Sequence, residues 1–161
     1  MIDFGISEGT HNWRTLNDSV MGGLSYSRLT VTDTGLKITG AVSLENNGGF
    51  SSIRSSFENY DLAEYSNLVL RCRGKGQTFS FTLETDRRWY YPYYKASIPL
   101  PDENWHEVKI PLSDFKKYRV GRTNDESIST SLLDDIIRLG IVTNSKQAGE
   151  FEFELDYIYF E

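Results

Sequence analysis

Residues able to do covalent chemistry are few. Histidine, the usual base beside a nucleophile, occurs only at His11 and His106, and cysteine only at Cys72. Nucleophilic catalysis needs such a base within reach of a serine, cysteine or threonine, and neither histidine sits in a recognisable motif. Two histidines and one cysteine also make no zinc site without carboxylates. Gly74-Lys75-Gly76 is too short for a phosphate-binding fingerprint and precedes a strand, where such a fingerprint opens a helix. A carboxylate pair for glycoside hydrolysis is available in any chain with 23 acidic residues, so spacing is silent on that reaction. The expectation is a protein that binds, without catalytic residues and without a cofactor.

Binding chemistry has better candidates. Arg87-Arg88-Trp89-Tyr90-Tyr91-Pro92-Tyr93-Tyr94-Lys95 is the densest aromatic stretch of a chain with ten tyrosines and an aromatic content of 14%. If it is extended, Trp89, Tyr91, Tyr93 and Lys95 share one face and Tyr90, Tyr94 and Ala96 the other. One face can fill a core, but both together carry many hydroxyls to bury. At least two of these rings are therefore expected at an exposed groove or patch, where they would stack on sugar rings or anchor a protein partner. The competing reading is a tyrosine-rich sheet face covered by a loop.

A second candidate set is tied to glycine pairs. Trp13-Arg14-Thr15-Leu16-Asn17-Asp18-Ser19-Val20-Met21-Gly22-Gly23 and Asn46-Asn47-Gly48-Gly49-Phe50-Ser51-Ser52-Ile53-Arg54 each centre on one. Such pairs mark sharp turns or close backbone approaches, and the polar residues ahead of them suit turn hydrogen bonds. Turn-building is the first reading; a recognition surface of Asn17, Asp18 and Arg54 is the second. Met21 and Phe50 would be apolar anchors, and Gly74 and Gly76 build a third turn.

These residues need strands to position them. Leu36, Ile38, Gly40, Val42 and Leu44 alternate with polar or small residues, as in a half-buried strand. Leu68, Leu70 and Cys72 face one way and Val69, Arg71 and Arg73 the other. Beyond Gly74-Lys75-Gly76, Phe79, Phe81 and Leu83 alternate with Ser80, Thr82 and Glu84, so the two runs read as a β-hairpin. Val108, Ile110 and Leu112 form a strand whose Pro111 suggests an edge or a strand end. Residues 116–131 are polar and read as a long surface loop. In the last strand Phe151, Phe153, Leu155, Tyr157 and Tyr159 oppose Glu150, Glu152, Glu154 and Asp156. Those four acids repel one another unless partnered, and Arg71 and Arg73 are suited to cross-strand ion pairs. Short strands at this spacing, with no helical stripe beyond about two turns, predict an all-β protein, an antiparallel β-sandwich.

The two glycine-centred stretches resemble the complex I intermediate-associated protein family. The likeness continues through Leu70-Arg71-Cys72-Arg73-Gly74-Lys75-Gly76, Trp105, Ile110-Pro111-Leu112-Ser113-Asp114-Phe115, Leu139-Gly140, Gly149-Glu150-Phe151 and Asp156-Tyr157-Ile158, and so spans nearly the whole chain. One departure is Lys75, where the family usually has an acid between the two glycines. The turn tolerates this, but a carboxylate role there is lost. The resemblance implies a galactose-binding-like jelly roll, residues 1–161 as one domain, and an assembly-factor or chaperone-like role toward respiratory complex I or another membrane enzyme. A carbohydrate-binding module with an aromatic cleft is the alternative. Many galactose-binding-like modules hold a structural Ca²⁺, for which Asp3, Glu154 and Asp156 are the candidates here, although no metal is expected.

Charge and composition narrow the partners. A net charge of −6 opposes a phosphate backbone, so nucleic acid is not an expected partner. No apolar run approaches the ~20 residues that span a bilayer. Cys72 lies within an apolar-polar alternation and reads as a buried free thiol, which fits a reducing compartment. Residues 1–13 show neither a signal peptide nor an arginine-rich transit peptide, so the expectation is a bacterial cytoplasm, or mitochondria if a presequence has been removed.

Overall fold

The alternating runs become strands of two facing sheets in the computed structural model, which describes residues 1–5, 12–18, 22–119 and 122–161, with backbone only for Asn47 and Thr123. In chain order these are β1 (Ile2–Asp3), β2 (Arg14–Asn17), β3 (Tyr26–Thr32), β4 (Gly35–Val42), β5 (Ser51–Arg54), β6 (Asn67–Lys75), β7 (Phe79–Glu84), β8 (Tyr93–Ser97), β9 (His106–Pro111), β10 (Lys116–Arg119), β11 (Arg122–Ser127), β12 (Arg138–Thr143) and β13 (Gly149–Phe160). The first sheet has the order β3-β4-β13-β6-β9, with β1 on β13; the second runs β11-β10-β8-β7-β12-β5-β2. Every pairing among the described residues is antiparallel. The fold is the expected antiparallel β-sandwich of jelly-roll type.

The core forms where the period-2 alternation places apolar side chains between the sheets. Leu36 and Ile38 of β4, Leu68, Leu70 and Cys72 of β6, and Phe153 and Leu155 of β13 meet Ile53, Phe81, Leu83 and Leu139 of the second sheet, all buried. Phe79 bridges the layers, its ring 4.7 Å from that of Phe153. Trp13 is also core, packed edge-on against Phe4 at 5.4 Å. Pro111 ends β9, an edge strand, where a missing N–H costs no ladder bond.

Four expectations need correction. First, β6 and β7 are not a hairpin: they belong to opposite sheets. β6 already has β13 and β9 on its two edges, so the turn carries the chain across the sandwich. Gly74 permits this, because an added Cβ would sit 2.6 Å from the Phe79 ring. Gly76, at φ +85°, lies so close to β13 that a Cβ would be 2.1 Å from the Glu150 carbonyl. Second, β13 does not keep one phase. A bulge between Leu155 and Tyr157 inserts Asp156, after which Ile158 is buried and Tyr157 and Tyr159 are turned outward. Third, residues 116–131 are not a loop, for β10 and β11 pair with each other and β10 with β8. Backbone bonds hold this edge hairpin without an apolar stripe to announce it. Fourth, Trp89 to Pro92 are not extended; the chain turns there, and β8 starts only at Tyr93.

Candidate functional site

The candidate residues separate into three places. Asn17 and Asp18 end β2 beside the glycine turns, and Asp18 is fully buried. Its carboxylate accepts hydrogen bonds from Ser25 N–H (2.9 Å), Gly49 N–H (2.7 Å), Phe50 N–H (3.2 Å) and the Ser25 hydroxyl. Gly23 N–H also donates to the Asp18 carbonyl at 2.9 Å. One side chain thus ties the Gly22-Gly23 turn to the Gly48-Gly49 turn. Gly23 and Gly48 leave it room: a Cβ on either would stand 2.3 or 2.7 Å from an Asp18 carboxylate oxygen. Burial by itself would raise the Asp18 pKa, but these hydrogen bonds prevail and hold it below the ordinary value. Asn17 Oδ1 accepts from Ser27 Oγ at 3.0 Å and Ser51 Oγ at 2.5 Å. Turn-building, the first of the two readings, is thus what Asn17 and Asp18 do here; as a recognition surface, the second, Asp18 is withdrawn by its burial. Met21 lies outside the described residues, as does His11.

Arg54 and Tyr93 come together around Glu84, at the end of β7. Glu84 is buried and forms ion pairs with both Arg54 and Arg138. Arg138 in turn lies over the Phe57 ring at 4.3 Å, with Arg87 over the same ring at 4.4 Å. Burial, then the neighbouring Tyr118 phenol, push the Tyr93 hydroxyl to a raised pKa. Arg54 is committed to this internal network. Sequence reasoning missed Glu84; its one signal is an acid closing an otherwise apolar-polar strand.

Trp89 and Tyr91 occupy the turn between β7 and β8, apart from Tyr93. Trp89 is 78% exposed, Tyr90 46% and Tyr91 40%. The turn is braced by Arg88, which donates through Nε (2.8 Å) and an NH2 group (2.7 Å) to Asp86 and stacks 3.7 Å above the Tyr91 ring. Tyr91 N–H closes the turn onto the Arg88 carbonyl at 3.0 Å. Tyr94 and Ala96, by contrast, point into the core.

A groove of about 440 Å³ opens on the outer face of the second sheet, lined from β7, β8, β10, β11 and the segment after β12. Ser80, Lys95, Tyr118 and Asn124 are among its lining residues. Lys95 reaches Asn144 Oδ1 at 2.8 Å and lies 4.0 Å above the Tyr118 ring. No sequence signal pointed here, because these residues are far apart in the chain.

Two of the three candidate metal ligands are paired with protein cations. Glu154 pairs with Arg73 and, at 3.7 Å, with Lys37; Asp156 pairs with Arg71 at 2.5 Å. Asp3 accepts the Gly5 N–H at 3.0 Å. Among the described residues no group of three acidic, histidine or cysteine side chains is placed to hold a metal. The cross-strand ion pairs expected of Arg71 and Arg73 are what neutralises this face, and Trp105 lies beneath both guanidinium groups at 4.7 and 5.0 Å. Cys72 and His106 stand opposite each other in the β6–β9 register, and His106 contacts Asp102 at 2.7 Å. No hydrogen bond joins the thiol to the imidazole, and burial pushes the thiol up to about 12. A thiol so protonated is not a nucleophile near neutral pH.

Compared with known proteins, residues 2–155 match the complex I intermediate-associated protein 30 family. The chain belongs to that family. Its relatives include complex I intermediate-associated protein 30, mitochondrial, of Mus musculus, 26% identical over 94% of this chain and 52% of the relative. The Drosophila melanogaster protein of the same name is 29% identical over 68% of this chain and 40% of its own length. This member of the family thus spans about half the length of these relatives, or less. In fold it resembles the family 11 carbohydrate-binding module of a Clostridium thermocellum cellulase, with a TM-score of 0.68, 18% identity and coverage of 99% and 92% of the two chains. That module in complex with a mixed-linked tetrasaccharide gives a TM-score of 0.65 at 19% identity, over 95% of this chain and 90% of its own. At such identities the likeness is one of fold. Among the described residues no helix is long and apolar enough to cross a membrane.

Proposed function

We propose that this chain is a non-catalytic binding domain that engages a protein partner during assembly of respiratory complex I, in mitochondria as the names of the relatives indicate. Family membership supports the role, and the exposed Trp89-Tyr90-Tyr91 turn carries the reading. Trp, Tyr and Arg are the residue types that dominate binding energy at interfaces. Here all three are presented together, and the Asp86–Arg88 bonds already fix the turn that displays them. A braced turn loses less conformational entropy on docking than a floppy one. Against catalysis stand the protonated Cys72 and the absence of any hydrogen bond linking it to His106. The test is capture of complex I assembly intermediates by the immobilised chain, with and without Trp89→Ala and Tyr91→Ala.

A second reading is favoured by the groove, whose ~440 Å³ falls within the range of small-molecule sites. The similarity of fold to carbohydrate-binding modules makes a sugar the first ligand to try. The two readings use different surfaces, so one chain can satisfy both.

A further inference from the structure

The donor groups around the groove outnumber its acceptors. Lys95, Lys116 and Lys146 line it, and among the described residues none of their ammonium groups has a carboxylate within ion-pair range, whereas Lys37, Lys109 and Lys117 each do. The oxygens of both carboxamides there are already engaged: Asn144 Oδ1 accepts from Lys95, and Asn124 Oδ1 accepts the Glu126 N–H at 3.0 Å. What Asn124 and Asn144 have left to offer is NH2. Ser80 adds a further hydroxyl, 99% buried on β7 and without a hydrogen-bond partner among the described residues. A buried polar atom left unpaired is costly, and a polar group bound in the groove would satisfy it.

Two acidic side chains, Asp114 and Asp125, also line the groove and can accept hydrogen bonds. Among the described residues neither forms an ion pair with any of the three lysines. A protein of net charge −6 thus gathers three lysines without an ion pair among the described residues, Lys95 bonded to Asn144 and Lys116 to Ser127 Oγ at 2.6 Å, together with two aspartates in one concave site. That pattern suits a ligand with an oxyanion for the ammonium and amide donors, and hydroxyls for the aspartates. The volume fits a molecule of monosaccharide to disaccharide size better than a bare anion.

We propose that this groove binds a hydroxyl-rich small molecule bearing a carboxylate or phosphate, that is, a uronate or a sugar phosphate. The proposal rests on the second reading above and is independent of the assembly role. Lys95 supports it further: burial, then the nearby Lys146 charge, lower its pKa, and a bound anion would relieve the repulsion.

The test is calorimetric and NMR titration of the full chain with glucuronate, glucose 6-phosphate, glucose and inorganic phosphate. Either charged sugar should bind at least about tenfold tighter than glucose and than inorganic phosphate, and the tighter of the two names the oxyanion. Lys146→Gln and Ser80→Ala should each weaken that binding about fivefold or more. Ser80→Ala removes an unpartnered hydroxyl, so the fold should be retained, and a purely structural serine would leave affinity unchanged. Glucose binding as tightly as glucuronate and glucose 6-phosphate would overturn the anionic specificity while upholding a sugar groove. Phosphate equalling glucose 6-phosphate would overturn the need for hydroxyls. No binding by any of the four would overturn the groove as a site, leaving the assembly reading untouched.

Discussion

Replacing Asp18 by alanine removes one acceptor group that serves four donors: the N–H groups of Ser25, Gly49 and Phe50 and the Ser25 hydroxyl. Hydrogen bonds to a charged group contribute roughly 1.5–3 kcal/mol each, and donors left unsatisfied in a buried place cost roughly 1–3 kcal/mol each. The small cavity admits some water and the turns relax, so the terms do not add in full. The expected loss is about 3–5 kcal/mol, a large share of the ~5–15 kcal/mol typical of a whole domain. Urea unfolding measures it as a lower midpoint with an unchanged slope. The pH dependence is a second signature. The folded pKa of Asp18 lies below its ordinary value of 3.8, so the unfolded chain binds the proton more readily. This contribution is therefore present above about pH 4 to 5, and is lost as pH falls through the folded pKa. The gap between the native chain and Asp18→Asn should narrow in acid. A loss below about 1 kcal/mol, or a gap constant from about pH 6 to 3, would refute the clasp.

Other expectations follow from the same geometry. Glu84→Ala leaves Arg54 and Arg138 facing each other in a half-buried site and should cost about 3 kcal/mol, read from thermal or urea unfolding; a neutral change would mean that the network is dispensable. The Cys72 thiol, buried and raised to about 12, should react with a disulfide reagent only after unfolding; rapid labelling of the native chain would contradict its burial. Acrylamide should quench Trp89 readily, and Trp89→Ala should alter stability by no more than about 0.5 kcal/mol; a shielded indole or a core-sized loss would remove the exposed turn from the argument.

How far the sequence discloses this can be followed residue by residue. β4 and β6 were legible because Leu36 and Ile38, and Leu68, Leu70 and Cys72, alternate with polar or outward-facing neighbours and end up buried. In β13 the alternation misleads past Leu155, since Tyr157, Ile158, Tyr159 and Phe160 are four large side chains in a row with no charged residue between them, and only the sheet partners decide where the bulge falls. The β10–β11 hairpin leaves no periodic trace because it lies at a sheet edge, with polar side chains facing the groove. Both glycine pairs were visible as turns, but that Asp18 joins them was not, for its partners Gly49 and Phe50 lie 31 and 32 residues away. The aromatic stretch was visible as a surplus, though its division into a turn with Trp89 and Tyr91 and a strand with Tyr93 was not. The groove was invisible for the same reason as the clasp: Lys95 and Asn144 meet across 49 residues of chain.

The central claim, a binding domain that docks a complex I assembly partner through its aromatic turn, is tested most directly by affinity capture from detergent-solubilised mitochondrial membranes. The immobilised chain is compared with the Trp89→Ala/Tyr91→Ala variant, with complex I subunits quantified by mass spectrometry and the unfolding midpoints of both proteins matched. The account predicts enrichment of complex I subunits on the native chain and a loss of at least about 2 kcal/mol in binding for the variant, or about thirtyfold. Equal capture by both proteins, or no enrichment above an unrelated β-sandwich, would contradict it.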